Sequence, residues 1–300
     1  IKILFFFAVT LLIFYLIFRK IDYFSVKEVL LNAQWQYLVA AASVIFLMVV
    51  FTAKKWQAMM WAINYSLGFK DSFKMVMATF PVSAITPAKS GDLMKSFYLK
   101  DKVPSAQTMG AVITERFIDI FVLAFYSLIG AAVLKNYLIL IISLSVIFLI
   151  PLFFLVVNKI KIPTGKWREK TENFLLISKV FIHQPQKLLP VLFYSLMLWL
   201  ITFLEVKILF LALGVDVSFF HIAAAFPPAI FIGLIPVTIA GMGTRDSVII
   251  YFFSPWVESS ICLGVGLLYS FFTYWLLALL GLPIMKKMLY NKQNAYSRKN

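Results

Sequence analysis

A chain of 300 residues that is 62% hydrophobic and only 14% charged is not a soluble globular domain, in which roughly 45–50% of residues are apolar. Unbroken apolar runs such as YLILIISLSVIFLIPLFFLVV, from Tyr137 to Val157, exclude a β-barrel, whose strands alternate over about 10 residues; they predict an all-α, polytopic membrane protein of about six to eight transmembrane helices. The net charge of +15 lies between the apolar runs, which marks loops against anionic lipid rather than a nucleic-acid partner, since no nucleic-acid-binding module accompanies it.

The first run, about Ile3–Phe18, is followed by FRKIDYF and not by a small-residue cleavage site, so it reads as a transmembrane helix rather than a removable signal. A polar, amphipathic connection, RKIDYFSVKEVLLNAQWQ, leads to a second run at about Tyr37–Ala53. Lys54, Lys55 and Trp56 close that run as interfacial anchors. Residues 57–78 are mixed and predict an interfacial helix ending in GFKDSFK. The third run, about Gln107–Leu134, carries Glu115, Arg116 and Asp119, and the fourth spans Tyr137–Val157. The most basic segment, 158–187, reads as a cytoplasmic loop. The fifth run, Leu188–Leu213, holds Glu205 and Lys207, which are two residues apart, face different ways and need separate partners. A sixth run covers His221–Ile235, a short seventh Val248–Phe253, and an eighth about Ile261–Met285. One integral membrane domain therefore covers 1–285. Residues 286–300 form a basic tail, disordered beyond its first turn.

Two stretches interrupt this pattern. In 79–95, Pro81, Pro87 and Gly91 break the helix and Lys89, Asp92 and Lys95 add ions. In 236–247, Pro236, Gly241 and Gly243 do the same beside Arg245 and Asp246. Placing the basic 158–187 segment and the tail in the cytoplasm puts both ends of the first stretch on that side, so it reads as a re-entrant hairpin. TPAKSGD and TIAGMGTRD share Thr-x-Ala-x-x-Gly, followed closely by Asp. They lie about half the chain apart, as in an internal pseudo-repeat with a transport site at its breaks. Interrupted backbone and ions are tolerated in hydrocarbon only where protein or a watery cavity covers them. A helix N-terminus and a planar guanidinium suit a phosphate. In TERFIDIF, Glu115 and Asp119 share a helical face; they stand ready to neutralise Lys89 or Arg245 or to receive a cationic headgroup. Lys89–Lys95 also has a plainer reading, as an interfacial loop snorkelling to the cytoplasm. The single cysteine, Cys262, excludes an internal disulfide, and the Cys/His content makes a zinc site improbable, so neither metal nor cofactor is expected.

ITPAKSGDLMKSFYL, TERFIDIF and IPVTIAGMGTRDSVI, in that order, resemble the flippase-like membrane region of lysylphosphatidylglycerol synthases, which also occurs as stand-alone membrane proteins. The resemblance covers nearly the whole chain and implies translocation of lipid between leaflets. The positions it carries over are Thr86, Pro87, Lys89, Gly91 and Asp92; Glu115, Arg116 and Asp119; and Pro236, Gly241, Gly243, Arg245 and Asp246. Ala88 stands where the family commonly has glycine, Ala240 replaces the first of a glycine pair, and Asp92 and Asp246 stand where Glu is usual. Lysine transfer to lipid is not predicted. The expected activity is carriage of a phospholipid or polyprenyl-phosphate-linked lipid by a multi-pass plasma-membrane protein with both termini cytoplasmic. No Walker A pattern is present, so no ATPase activity is implied. A membrane-embedded transferase, or a non-catalytic partner of a separate synthase or glycosyltransferase, is the alternative; homo-oligomerisation stays open.

Overall fold

Long apolar runs become long helices because backbone in hydrocarbon must satisfy its own N–H and C=O groups. The computed structural model describes residues 2–159 and 168–297. Its helices are α1 (Lys2–Phe18), α2 (Tyr23–Leu31), α3 (Trp35–Ala62), α4 (Phe69–Ile85), α5 (Met94–Leu99), α6 (Ser105–Leu134), α7 (Tyr137–Lys159), α8 (Arg168–His183), α9 (Leu189–Ala212), α10 (Phe219–Leu234), α11 (Thr244–Phe253), α12 (Ser259–Ser270) and α13 (Leu277–Ser297). Five described stretches are long and apolar enough to cross a bilayer: α3, α6, α7, α9, and the α12–α13 pair, joined by a π-helical turn at Phe271–Leu276. Two shorter apolar helices accompany them, Phe5–Phe18 and Phe219–Leu234.

The expected repeat is present, and it is inverted. α3 and α9 lie side by side and antiparallel. At one end the Gln34 amide donates to the Ala212 carbonyl at 2.8 Å; at the other, Lys187 Nζ donates to Asn64 Oδ1 at 2.7 Å. Each long helix leads through a glycine, Gly68 or Gly214, into a helix with a Phe-Pro pair at the same distance beyond it, Phe80-Pro81 or Phe226-Pro227. Each of these helices ends in a 3-10 turn, Pro87–Leu93 or Ile239–Gly241, and a short helix, α5 or α11, follows. The next crossing helix then opens on Val-x-Ser and carries a glycine at matching places, Val103, Ser105 and Gly110 in one half and Val257, Ser259 and Gly264 in the other. The two hairpins leave opposite ends of the α3–α9 pair and touch at their turns.

The halves are also interleaved, since α4 packs on α13 and α10 on α6. Small residues permit both approaches. A methyl at Gly130 would sit 2.4 Å from Ala224 Cα, and one at Gly281 would sit 2.2 Å from the Met77 carbonyl oxygen. Outside this frame, α7 and α8 flank α6. α2 starts where the Ser25 amide and hydroxyl donate to Asp22, which holds that exposed carboxyl below its usual range. α1 braces the second turn: Thr10 Oγ1 accepts from the Ile239 amide at 3.0 Å while donating to the Phe6 carbonyl.

Several boundary expectations are corrected. The second run does not close at Lys54–Lys55; α3 continues to Ala62, and Lys55 is buried on its inner face. Residues 57–78 form no single interfacial helix, because 57–62 finish α3 and α4 begins at Phe69; nor does Pro81 break the helix, since α4 runs through it to Ile85 and the break begins only at Thr86. The 158–187 segment is largely helical: α8 is amphipathic and buries Ile177 and Val180, since its apolar residues recur at helical spacing. Residues 160–167 lie outside the described residues. The tail is no loose end either. α13 runs to Ser297, and Lys292 bonds the Phe97 carbonyl and pairs with Asp101.

The contact at Gly130 has a built-in control, because a methyl at Gly68 would meet nothing within 4 Å. Gly130→Ala is expected to lose about 1–3 kcal/mol to overpacking and to lower the thermal unfolding midpoint of the detergent-purified protein. Gly68→Ala should leave that midpoint nearly unchanged.

Candidate functional site

Where the two turns meet, the protein holds a partly open cavity of about 360 Å³. Its charged lining is Lys55 from α3, Asp92 and Lys95 from the first hairpin, Arg116 and Asp119 from α6, and Arg245 from α11. Met48, Phe80, Ile120, Leu198 and Leu234 supply apolar wall.

The ions form a network because none of them has water enough to stand alone. Glu115 and Asp119 do share one face of α6, and that face meets α3. Lys55 Nζ lies 2.6 and 2.9 Å from the two oxygens of Asp119 and 3.3 Å from Glu115 Oε1. Lys95 Nζ lies 3.0 Å from Glu115 Oε2 and sits over the Trp56 ring, 4.4 Å from its centroid. Ser195 donates to Asp119 at 2.7 Å. Arg116 turns the other way, pairing with Asp92 at the hairpin tip and with Asp119 at 3.3 Å. Ser83 adds a hydrogen bond to Asp92 at 3.1 Å. Three cations thus meet three carboxylates, and α3, α6, α9 and the first hairpin are tied at one point.

A second cluster holds the other tip. Arg245 reaches Asp246 Oδ1 through Nη2 at 2.6 Å and Nε at 3.1 Å. Nη2 also donates to the Gly266 carbonyl at 3.1 Å and to Ser270 Oγ at 2.6 Å, with the guanidinium over the Tyr269 ring. Asp246 Oδ2 in turn accepts from the Gly243 amide at 2.9 Å, capping α11. Gly241 and Gly243 adopt φ of 73° and 84°, which glycine accepts without a Cβ clash. Ala240 takes φ 53° without that freedom.

The predicted residues divide into two groups. Asp92, Arg116, Asp119 and Arg245 share the cavity wall, with Glu115 fully buried behind it. Thr86, Gly91, Gly241, Gly243 and Asp246 shape the turns instead: Thr86 Oγ1 accepts from the Gly91 amide at 3.0 Å. Pro236 is exposed. The side chains of Pro87 and Lys89 lie outside the described residues. Two electrostatic expectations change. The acidic face of α6 is neutralised by Lys55, Lys95 and Arg116, not by Arg245; and Lys95 does not snorkel, being 1% exposed. Glu205 and Lys207 do find separate partners, Thr273 and Asp216.

Sequence reasoning reads Lys55 as an interfacial anchor, counts Lys95 among the ions of the first break without assigning it to the site, and passes over Trp199. For Lys55 a signal exists. Met48, Thr52 and Lys55 stand at i, i+4 and i+7 on α3 and line the cavity together. Among the described residues, three buried donors at this wall have no partner: Arg116 Nε, Arg245 Nη1 and Trp199 Nε1. The site therefore has donor capacity to spare, which favours a ligand rich in oxygen acceptors.

Comparison with known proteins agrees with this architecture. Residues 2–281 match the family described as the lysylphosphatidylglycerol synthase TM region. A UPF0104 membrane protein of Methanocaldococcus jannaschii is 27% identical over 289 residues, covering 86% of each chain. Another, from Methanothermobacter thermautotrophicus, is 22% identical over 293 residues, covering 86% of this chain and 87% of the relative.

Removing one member of the buried network leaves charge without a partner. Lys55→Met is expected to lose about 3–5 kcal/mol, and Lys55→Met with Asp119→Asn to recover part of that. Arg168→Met, which breaks an exposed pair with Glu172, should change stability by less than about 1 kcal/mol. Thermal unfolding of the three purified variants measures the order.

Proposed function

The chain belongs to the lysylphosphatidylglycerol synthase TM region family, and on that premise we propose that it carries a phosphate-bearing lipid between leaflets, with the headgroup held where the two hairpin turns meet. The carrying observation is the set of unpartnered donors on Arg116, Arg245 and Trp199 around a cavity that also has apolar wall. Phosphate oxygens accept such donors, while the tails of the lipid stay in the bilayer. A ligand of this kind completes hydrogen bonds that the protein leaves unmade.

The inverted hairpins suit the task. They leave opposite ends of the α3–α9 pair, so a headgroup at their junction has a comparable path toward either surface. The end that carries Lys187 and Lys292 also carries Lys100 and Lys102. By the positive-inside rule we place it in the cytoplasm, with both termini on that side of the plasma membrane.

Reconstitution tests the reading. The purified chain is placed in phosphatidylcholine vesicles containing a fluorescent phosphatidylglycerol, and dithionite quenching reports the lipid that crosses. Crossing well above that of protein-free vesicles is expected. A charged hydrogen bond is worth about 1.5–3 kcal/mol, so Arg116→Gln should slow crossing by about tenfold or more. Wild-type crossing no faster than in empty vesicles, with folded protein present, overturns the proposal. Formation of a modified lipid from a donor would favour the transferase alternative.

A further inference from the structure

A second groove, of about 570 Å³, lies on the outer side of the first hairpin between α3, α4 and α13 and shares no lining residue with the central cavity. Its floor is Phe46 and Val50 from α3, Phe69 and Phe73 from α4, and Ile284 and Met288 from α13. The rings of Phe46, Phe73 and Phe69 form a chain, with centroid separations of 6.4 and 6.1 Å. Lys70, Lys74 and Lys287 line its rim, and Lys54 Nζ lies 4.8 Å from the Phe69 centroid. Among the described residues, none of the three rim lysines is paired with a carboxylate.

Polarity is graded along one axis. α3 passes from Phe46 through Val50 to Lys54, and α13 passes from Ile284 to Lys287 and Asn291, both running toward the end where Lys292 meets Asp101. α4 runs the opposite way and places Phe69 and Lys70 toward the same end. An apolar trough that ends in several unpaired ammonium groups matches an amphiphile with an anionic head. We propose that this groove binds one anionic glycerophospholipid, its acyl chain along Phe46 and Phe73 and its phosphate among Lys70, Lys74 and Lys287. This lipid is a resident of the protein and not the cargo of the central cavity, so the proposal stands apart from the transport reading.

Native mass spectrometry of the full chain tests it, with the detergent-purified protein exposed to equal mole fractions of dioleoylphosphatidylglycerol and dioleoylphosphatidylcholine. Each lysine near an anionic surface contributes roughly a fivefold effect. Preferential retention of one phosphatidylglycerol, on the order of tenfold or more, is expected. Lys70→Gln/Lys74→Gln/Lys287→Gln should abolish the preference, whereas the equal charge change Lys20→Gln/Lys27→Gln/Lys179→Gln should keep it. Equal retention of the two lipids, or equal loss in both triple variants, overturns the proposal. So does protection from thermal unfolding by inorganic phosphate as strong as that by the lipid. The rim lysines, Lys20 and Lys27 are exposed and Lys179 is half-buried, so both triple variants are expected to unfold close to the wild-type temperature, which separates lost binding from lost folding.

Discussion

The structure depends on one constraint: backbone that leaves a helix inside hydrocarbon must be covered by protein or by a polar cavity. Two helices break here, and each break covers the other. The turn at Pro87–Leu93 lies against the turn at Ile239–Gly241, with α4 touching the second and α10 the first. α3 and α9 set the geometry. Being antiparallel, they send the hairpins in from opposite ends, so the tips meet between the two ends of the pair. The glycines of α6 and α13 complete it by letting each crossing helix approach the hairpin of the other half.

The halves share a plan but not a chemistry. In the register set by Val103 and Val257, Glu115 and Asp119 of α6 correspond to Tyr269 and Thr273 of the other half. The first half therefore holds its junction with ions. The second holds it with a single ion pair, Arg245–Asp246, backed by hydroxyls and an aromatic face: Thr273 bonds Glu205, and Tyr269 lies under Arg245. An ion network costs desolvation that good geometry only just offsets, so its presence on one side marks that side of the cavity as the more polar.

Much of this was legible in the sequence. Apolar runs located the crossing helices, and Pro87, Gly91, Pro236 and Gly241 marked the breaks, because proline and glycine act on the backbone locally. The Thr-x-Ala-x-x-Gly match pointed to the repeat. Pairing was another matter. Lys55 lies 64 residues from Asp119 and follows another lysine, so hydropathy alone reads it as an anchor. Its helical phase with Met48 and Thr52 speaks for burial, but only once α3 is known to continue past it. The sequence reads Arg245 as facing a neighbouring ion or a phosphate; in the structure it lines the cavity while most of its donors bond within the protein. A guanidinium beside a carboxylate in sequence does not reveal that Gly266 and Ser270, a helix away, engage Nη2 as well and leave only Nη1 without a partner.

This difference between the two arginines bears on how the site works. Arg245 spends three of its five N–H groups on Asp246, Gly266 and Ser270, and Asp246 caps α11 by accepting from Gly243. Loss of Arg245 would leave a buried aspartate and loosen the second turn, so its effect on the proposed transport would mix folding with binding. Arg116 is about a third exposed, and its carboxylate partners have other hydrogen bonds, Asp92 from Ser83 and Asp119 from Lys55 and Ser195. Asp92 sits on the hairpin tip itself and has Arg116 as its cation, so a phosphate that drew Arg116 away would leave Asp92 with the Ser83 hydroxyl. Under the transport proposal, exchange of Arg116 between tip carboxylate and headgroup would couple ligand arrival to the hairpin, with Lys55, Lys95 and Glu115 paired behind it.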